Sequence, residues 1–163
     1  MLSSCVAKGP QFVPVENPPE DKAVIILFMT PFKTIPGAFK KPEWAKAIQA
    51  RFIITNAGRR IVKLIRAGYY PYYADPGEIT LTSEPGWYAP ELGIVNPETL
   101  TMNVEAGKVY YVENDYVTQT SRYGGHRISK ITLIPIADEI EAQLKLSDCH
   151  LLPKAEAVSG GAE

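Results

Sequence analysis

The chain has 163 residues, of which 45% are hydrophobic and 21% charged, and its formal net charge is -1. That length corresponds to one domain and can bury a core without disulfide or metal staples. The near-neutral balance excludes a global field that would draw the protein onto nucleic acid or an anionic surface. No apolar run approaches the roughly 20 residues that span a bilayer.

The chain opens Met1-Leu2-Ser3-Ser4-Cys5. An aliphatic residue, two small residues and a cysteine fit the lipobox pattern. The thiol of Cys5 would receive a diacylglycerol thioether, and small neighbours suit the peptidase that cuts beside it. No charged n-region and apolar h-region precede Leu2, so anchoring requires a start upstream of Met1. With Met1 as the native start the protein would be cytoplasmic. Residues 6–22 carry Pro10, Pro14, Pro18 and Pro19. Proline lacks a donor N–H and holds its predecessor extended, so no helix forms there. A semi-rigid tether is expected over 6–22, and the domain over 23–152 is expected to fold without it.

Strands dominate the middle. Residues 23–29, AVIILFM, read as a buried strand. The run QARFIITN meets Ala57-Gly58 and then Ile61-Val62, a hairpin with Gly58 free to take positive φ. Residues 69–74 are aromatic and extended, and Asp75-Pro76-Gly77 turns the chain. Ile79 and Leu81 alternate with Thr80 and Thr82, as Leu100, Met102 and Val104 do with Thr101 and Asn103. Alternation of this kind marks half-buried strands. Ala106-Gly107-Lys108 turns into Val109, and Glu113-Asn114-Asp115 reads as the polar end of that strand entering a loop. Residues 127–135 alternate again. Asp138 then caps a short helix over about 139–147, with Glu141 at capping-box spacing and Ile140 and Leu144 on one face. A weaker helical turn is expected at 42–48, where Pro42 suits a first helical position. Residues 153–163 are small and charged without periodicity, a tail expected to be disordered. The fold class expected is an all-β antiparallel sandwich of about seven to eight short strands with one short C-terminal helix.

Several of these pieces, taken in order, resemble bacterial envelope lipoproteins grouped as domain of unknown function twenty-eight forty-six. They are the AVIILF strand, the hairpin RFIITNAGRRIVKL, the stretch GYYPYYADPGEITLTSE, then LTMNVEAGKVYYVE, and ITLIPIADEIEAQLKLSDCHLL. Matching positions are Tyr72, Tyr73, Pro76, Gly77, Thr80 and Leu81, then Ala106, Gly107, Lys108, Tyr110 and Tyr111, then Asp138 and Cys149. Coverage runs over residues 22–152. A more distant similarity is to PEGA-type and transthyretin-like sandwich modules, which are structural or binding units at cell surfaces. The resemblance implies an envelope location and no transferable chemistry. By similarity to lipoprotein sorting in enterobacteria, Val6 after the cysteine implies the periplasmic face of the outer membrane. Residues 31–47, 85–98 and 121–127 depart from the family pattern, and such loops are where specific function is expected.

Catalytic groupings are absent from the sequence. His126 and His150 form no metal-binding spacing, two cysteines make no zinc site, and no nucleophile elbow or phosphate loop occurs. Cys149 and His150 are adjacent, which rarely aims both side chains at one reacting atom. Cys149 reads as a small buried residue after the helix; a bridge to Cys5 is open in an oxidising compartment but excludes lipidation. Glu113 and Asp115 sit at a spacing paired carboxylates would use. No catalytic residue, metal or cofactor is therefore expected, and the protein is not expected to be an enzyme.

Aromatics carry the better functional signal. Phe32, Phe39 and Trp44 stand among Lys33, Lys40, Lys41 and Lys46, and Trp87 and Tyr88 stand beside Pro85, Gly86 and Pro90. Such side chains suit interfaces and sugar stacking, and also serve to cap the open ends of a sandwich. The function expected is a lipid-anchored, non-catalytic binding or scaffold protein of the bacterial envelope. It would meet the membrane through Cys5 and a protein or glycan partner through these aromatics, with no role for nucleic acid. A carbohydrate- or peptidoglycan-binding module and an accessory subunit of an envelope or secretion assembly are the alternatives.

Overall fold

The computed structural model describes residues 7–31, 51–86, 96–120 and 126–154. The chain is mostly β, with nine strands and one helix among the described residues. Five strands form the first sheet, in the order β8 (His126–Ile136), β7 (Val109–Thr120), β1 (Ala23–Met29), β4 (Gly68–Ala74) and β9 (His150–Leu151). The second has the order β3 (Arg59–Leu64), β2 (Phe52–Asn56), β5 (Gly77–Pro85) and β6 (Glu98–Val104). The fold is a β-sandwich with a C-terminal helix, α1 (Glu139–Leu146).

The first sheet is mixed, whereas the sequence predicts an antiparallel sandwich. β1 pairs parallel with β7 and antiparallel with β4, and β9 runs parallel to β4. The reason lies in β1, whose seven residues are all buried. A continuous apolar run is the pattern of a strand covered on both faces. Ile25, Leu27 and Met29 point between the sheets. Val24, Ile26 and Phe28 point the other way, into a second cluster with Ala142 and Leu146 of α1. The molecule thus has a third layer outside the first sheet.

Turn chemistry follows the sequence closely. Ala57 and Gly58 both have positive φ, 49° and 80°, so β2 and β3 are joined by a two-residue turn of the primed type. The chain changes sheets between β4 and β5 and again between β6 and β7, and both corners are tied to residue 22. Lys22 pairs with Asp75, and its carbonyl accepts from the Gly107 N–H at 2.8 Å. Two tyrosines tie further points, with the Tyr72 hydroxyl accepting from Asn56 Nδ2 at 2.9 Å and that of Tyr110 from the Glu105 N–H at 2.9 Å.

α1 is capped as predicted. Asp138 Oδ1 accepts from the N–H groups of Ile140 and Glu141 at 2.9 and 3.2 Å. Its apolar residues are placed differently. Ala142 and Leu146 are buried, while Ile140 and Leu144, though on one face, are 72% and 71% exposed. Ala142 and Leu146 form the face that packs on the first sheet, which leaves Ile140 and Leu144 turned outward.

Residues 7–22 correct the expectation of a semi-rigid tether standing off the domain. The arm lies along the fold. Gln11 forms an antiparallel bridge with His150. The N–H of Leu151 donates to Pro10 O at 2.8 Å, and that of Phe12 to Cys149 O at 3.0 Å. Gly9 passes so close to β9 that a Cβ there would sit 2.2 Å from Leu151 O. Phe12 then meets Tyr69 edge-on, with ring centroids 5.2 Å apart, and Phe12 and Val15 pack into the outer cluster. Prolines forbid a helix in this segment but favour the extended backbone that an edge-lying strand needs. The weaker helical turn proposed at 42–48 and the C-terminal tail from residue 155 lie outside the described residues.

Candidate functional site

One end of the sandwich holds the buried polar side chains Ser83, Glu113 and Asn114. Here β1 finishes at Met29, opposite the start of β4 at Gly68. Phe52 at the start of β2 faces Pro85 at the end of β5, and β6 begins at Glu98 opposite Ser83. β7 passes Glu113 opposite Phe28 and continues past the end of β1 to Thr120. The chain therefore leaves the sandwich at this one end at residues 31, 51, 86, 96, 120 and 126. Two of these stems touch directly, since the Gly86 N–H donates to Arg51 O at 2.7 Å.

Glu113-Asn114-Asp115 lies inside β7, which corrects the reading of these residues as a strand end. Only Asp115 is exposed. Glu113 is 6% exposed and turns toward α1, where Lys145 Nζ donates to its Oε2 at 2.7 Å. Thr30 Oγ1 lies 3.4 Å from Oε1. Glu141 adds a longer contact to Lys145, 3.8 Å. The Glu113 carboxylate holds the Lys145 ammonium above the ordinary lysine value against the opposing effect of burial. On the other side of the sheet Asn114 is buried, accepting from Ser83 Oγ at 2.5 Å while its Nδ2 faces Met29 Sδ at 3.8 Å. This pair links the two sheets. Nearby, Arg66 Nη2 donates to the Tyr116 hydroxyl at 2.8 Å, and the Tyr116 ring packs on Phe52 at 5.2 Å. Burial lowers the Arg66 pKa while the Tyr116 oxygen opposes it.

Cys149 is fully buried and free of any disulfide. Its Sγ lies 3.7 Å from Met29 O and 3.8 Å from Lys145 O. Burial, helped by Asp148 and Glu113, pushes its pKa up to about 12. A thiol held protonated is a poor nucleophile. The neighbouring imidazole is turned elsewhere, with His150 Nδ1 2.7 Å from Gly9 O. The two adjacent side chains thus serve different contacts. Among the described residues no cluster of histidine, cysteine and carboxylate side chains could hold a metal ion, and no helix is long and apolar enough to cross a membrane.

This state of Cys149 has a measurable consequence. An unfolded cysteine loses its proton near pH 8.5, whereas the folded thiol keeps it to about 12. Folding stability should therefore fall as pH rises through that window, by at most about 1.4 kcal/mol per pH unit from this group. Lys145 adds to the decline at its upper end. Its stabilisation is complete below the ordinary lysine value and is lost as pH rises through the raised folded value. Cys149→Ser should fold, at a cost of about 0.5–3 kcal/mol, and show a flatter decline between about pH 8.5 and 10 in urea titrations. A serine variant with the wild-type slope would show that the thiol is not the titrating group.

Comparison of the chain with protein-family models, curated proteins and solved structures finds no match. The site is therefore read from its own chemistry. Its described polar groups brace α1, β1, β5 and β7 against one another, and among the described residues no buried side-chain polar atom lacks a partner. This makes the loop end a stiff frame.

Cys5, Phe32, Phe39, Trp44, Trp87 and Tyr88 lie outside the described residues. For the five aromatics the structure adds the place from which their segments depart. The described residues that flank 32–50, 87–95 and 121–125 all stand at the loop end. Sequence reasoning missed Thr30, Ser83, Asn114 and Lys145 as parts of the frame. A signal was available for one of them, because Glu141 and Lys145 stand at i,i+4 spacing on a helix face.

Proposed function

We propose that the protein is a lipid-anchored, non-catalytic binding or scaffold protein of the bacterial cell envelope, and that it meets its partner with the loop end of the sandwich. The observation that carries this reading is that the described stems flanking residues 32–50, 87–95 and 121–125 share one braced end, with those at Arg51 and Gly86 hydrogen-bonded at 2.7 Å. Binding residues are commonly held on loops that a rigid scaffold positions. Those segments hold Phe32, Phe39, Trp44, Trp87 and Tyr88, and aromatic side chains are the usual anchors of protein and glycan interfaces. Leu2-Ser3-Ser4-Cys5 and the resemblance to envelope lipoproteins support attachment to the outer membrane through Cys5.

Capture from solubilised membranes tests the reading, using the intact protein beside Phe39→Ala with Trp44→Ala and beside Trp87→Ala. An aromatic hot spot is worth about 2 kcal/mol or more, which weakens binding about thirtyfold. At least one variant should fold normally and lose a partner that the wild type retains, with that loss repeated in a direct titration of the purified partner. If both fold and bind every wild-type partner unchanged, the aromatics of the loop end have no binding role. Mass spectrometry of the native N-terminus checks the anchor separately, and an unacylated Cys5 would remove it.

A further inference from the structure

We propose that the outer layer of the molecule, made by α1 and the arm, rests on the lipid surface beside the anchor; this rests on the reading of Cys5 as the lipidated residue. Three large apolar side chains point outward from this one layer. Ile140 and Leu144 are 72% and 71% exposed on α1, and Val13 is 71% exposed on the arm. Both elements lie on the same face of the first sheet, because Phe12 and Val15 of the arm share one buried cluster with Ala142 and Leu146 of α1. Exposure gives the direction on the arm, with Val13 and Pro14 outward between the half-buried Phe12 and Val15.

The position of Cys5 selects the occupant. Ala7 is already buried against the sandwich core, so the leash from Cys5 to the fold is two residues, about 7 Å at full extension. A diacylglycerol group on Cys5 would thus hold the domain against the bilayer. From Ala7 the chain passes beside β9 and then crosses the outer face that carries α1, where Phe12 and Val15 pack. Three separated aliphatic prongs suit shallow insertion among acyl chains, where burial of each apolar side chain is favourable. The charges on α1 choose the lipid class. Asp138, Glu139 and Glu141 crowd its first turn and would be repelled by an anionic surface, so a zwitterionic one fits better.

The test couples the full chain through Cys5 to a maleimide lipid in vesicles of phosphatidylethanolamine and phosphatidylcholine. The Cys149 thiol, buried and protonated, does not compete. Amide hydrogen exchange is compared with the uncoupled chain on the same vesicles. Coupling should add protection over residues 12–15 and 139–146 and leave the β2–β3 turn at 56–59 unchanged. Ile140→Ser with Leu144→Ser should keep the fold, since both side chains are exposed, and should lose the added protection while remaining coupled. The proposal is overturned if added protection falls on another face, or if the double variant keeps it. It is also overturned if the uncoupled wild type sediments as a dimer and the variant as a monomer, because the face then belongs to a second copy. Because the lipid is attached chemically, these outcomes do not depend on whether the native protein is acylated.

Discussion

A chain beginning at Lys22 should be less stable than the intact protein by about 3–5 kcal/mol, a large share of the roughly 5–15 kcal/mol that a domain possesses. Three losses add up. Ala7 leaves the inter-sheet core, and Phe12 and Val15 leave the outer cluster, where each large apolar side chain contributes about 1.5–3 kcal/mol when fully buried and less here. The edge of β9 also loses the bonds that Pro10 and Phe12 make to it. Urea midpoints of the two chains measure the difference. Gly9→Val localises it, because the added Cβ would meet the Leu151 carbonyl oxygen at 2.2 Å, a backbone atom that no rotamer change moves aside. A shortened chain with the full-length midpoint would mean that the arm is a passenger.

Phe28→Ala should cost about 3–5 kcal/mol, the range for deleting a buried aromatic ring. Phe28 is fully buried on the side of β1 that faces α1. Its loss empties the space under the helix, so the effect should be uneven. Amides of α1 should exchange much faster, while those of β2 and β5 in the other sheet should follow only the global loss of stability. Leu27→Ala, one residue earlier and facing the second sheet, should produce the opposite bias. Equal loosening of both layers by the two substitutions would argue against a distinct outer layer.

Both predictions concern the layer that was hardest to read. The strands of the sandwich were legible because alternation with a period of two repeats along residues 79–82 and 100–104, and turn residues stand between the runs. The helix was legible through Asp138 and its spacing to Glu141. The outer layer was not, because it depends on which face of a short helix meets a sheet. In EIEAQLKL the bulkier apolar residues, Ile140 and Leu144, argue for one face, yet Ala142 and Leu146 form the buried one. Packing with Val24, Ile26 and Phe28 decided the buried face, and side-chain size within the helix did not.

The sequence by itself determined the class of fold, the hairpin at Ala57-Gly58, the cap of α1 and the reading of β1 as a buried strand. Those features are local: they follow from periodicity, from backbone φ and from hydrogen bonds between near neighbours. Only the tertiary structure decided that the proline-rich arm is part of the fold, since its partners at His150 and Leu151 are about 140 residues away in the chain. It likewise decided that Glu113 is a buried ion-pair member and not a strand end, because Lys145 reaches it from another element at a separation of 32. The shared end from which 32–50, 87–95 and 121–125 depart is of the same kind. It is set by the register of six strands from two sheets, and long-range register leaves no mark in any short stretch of sequence.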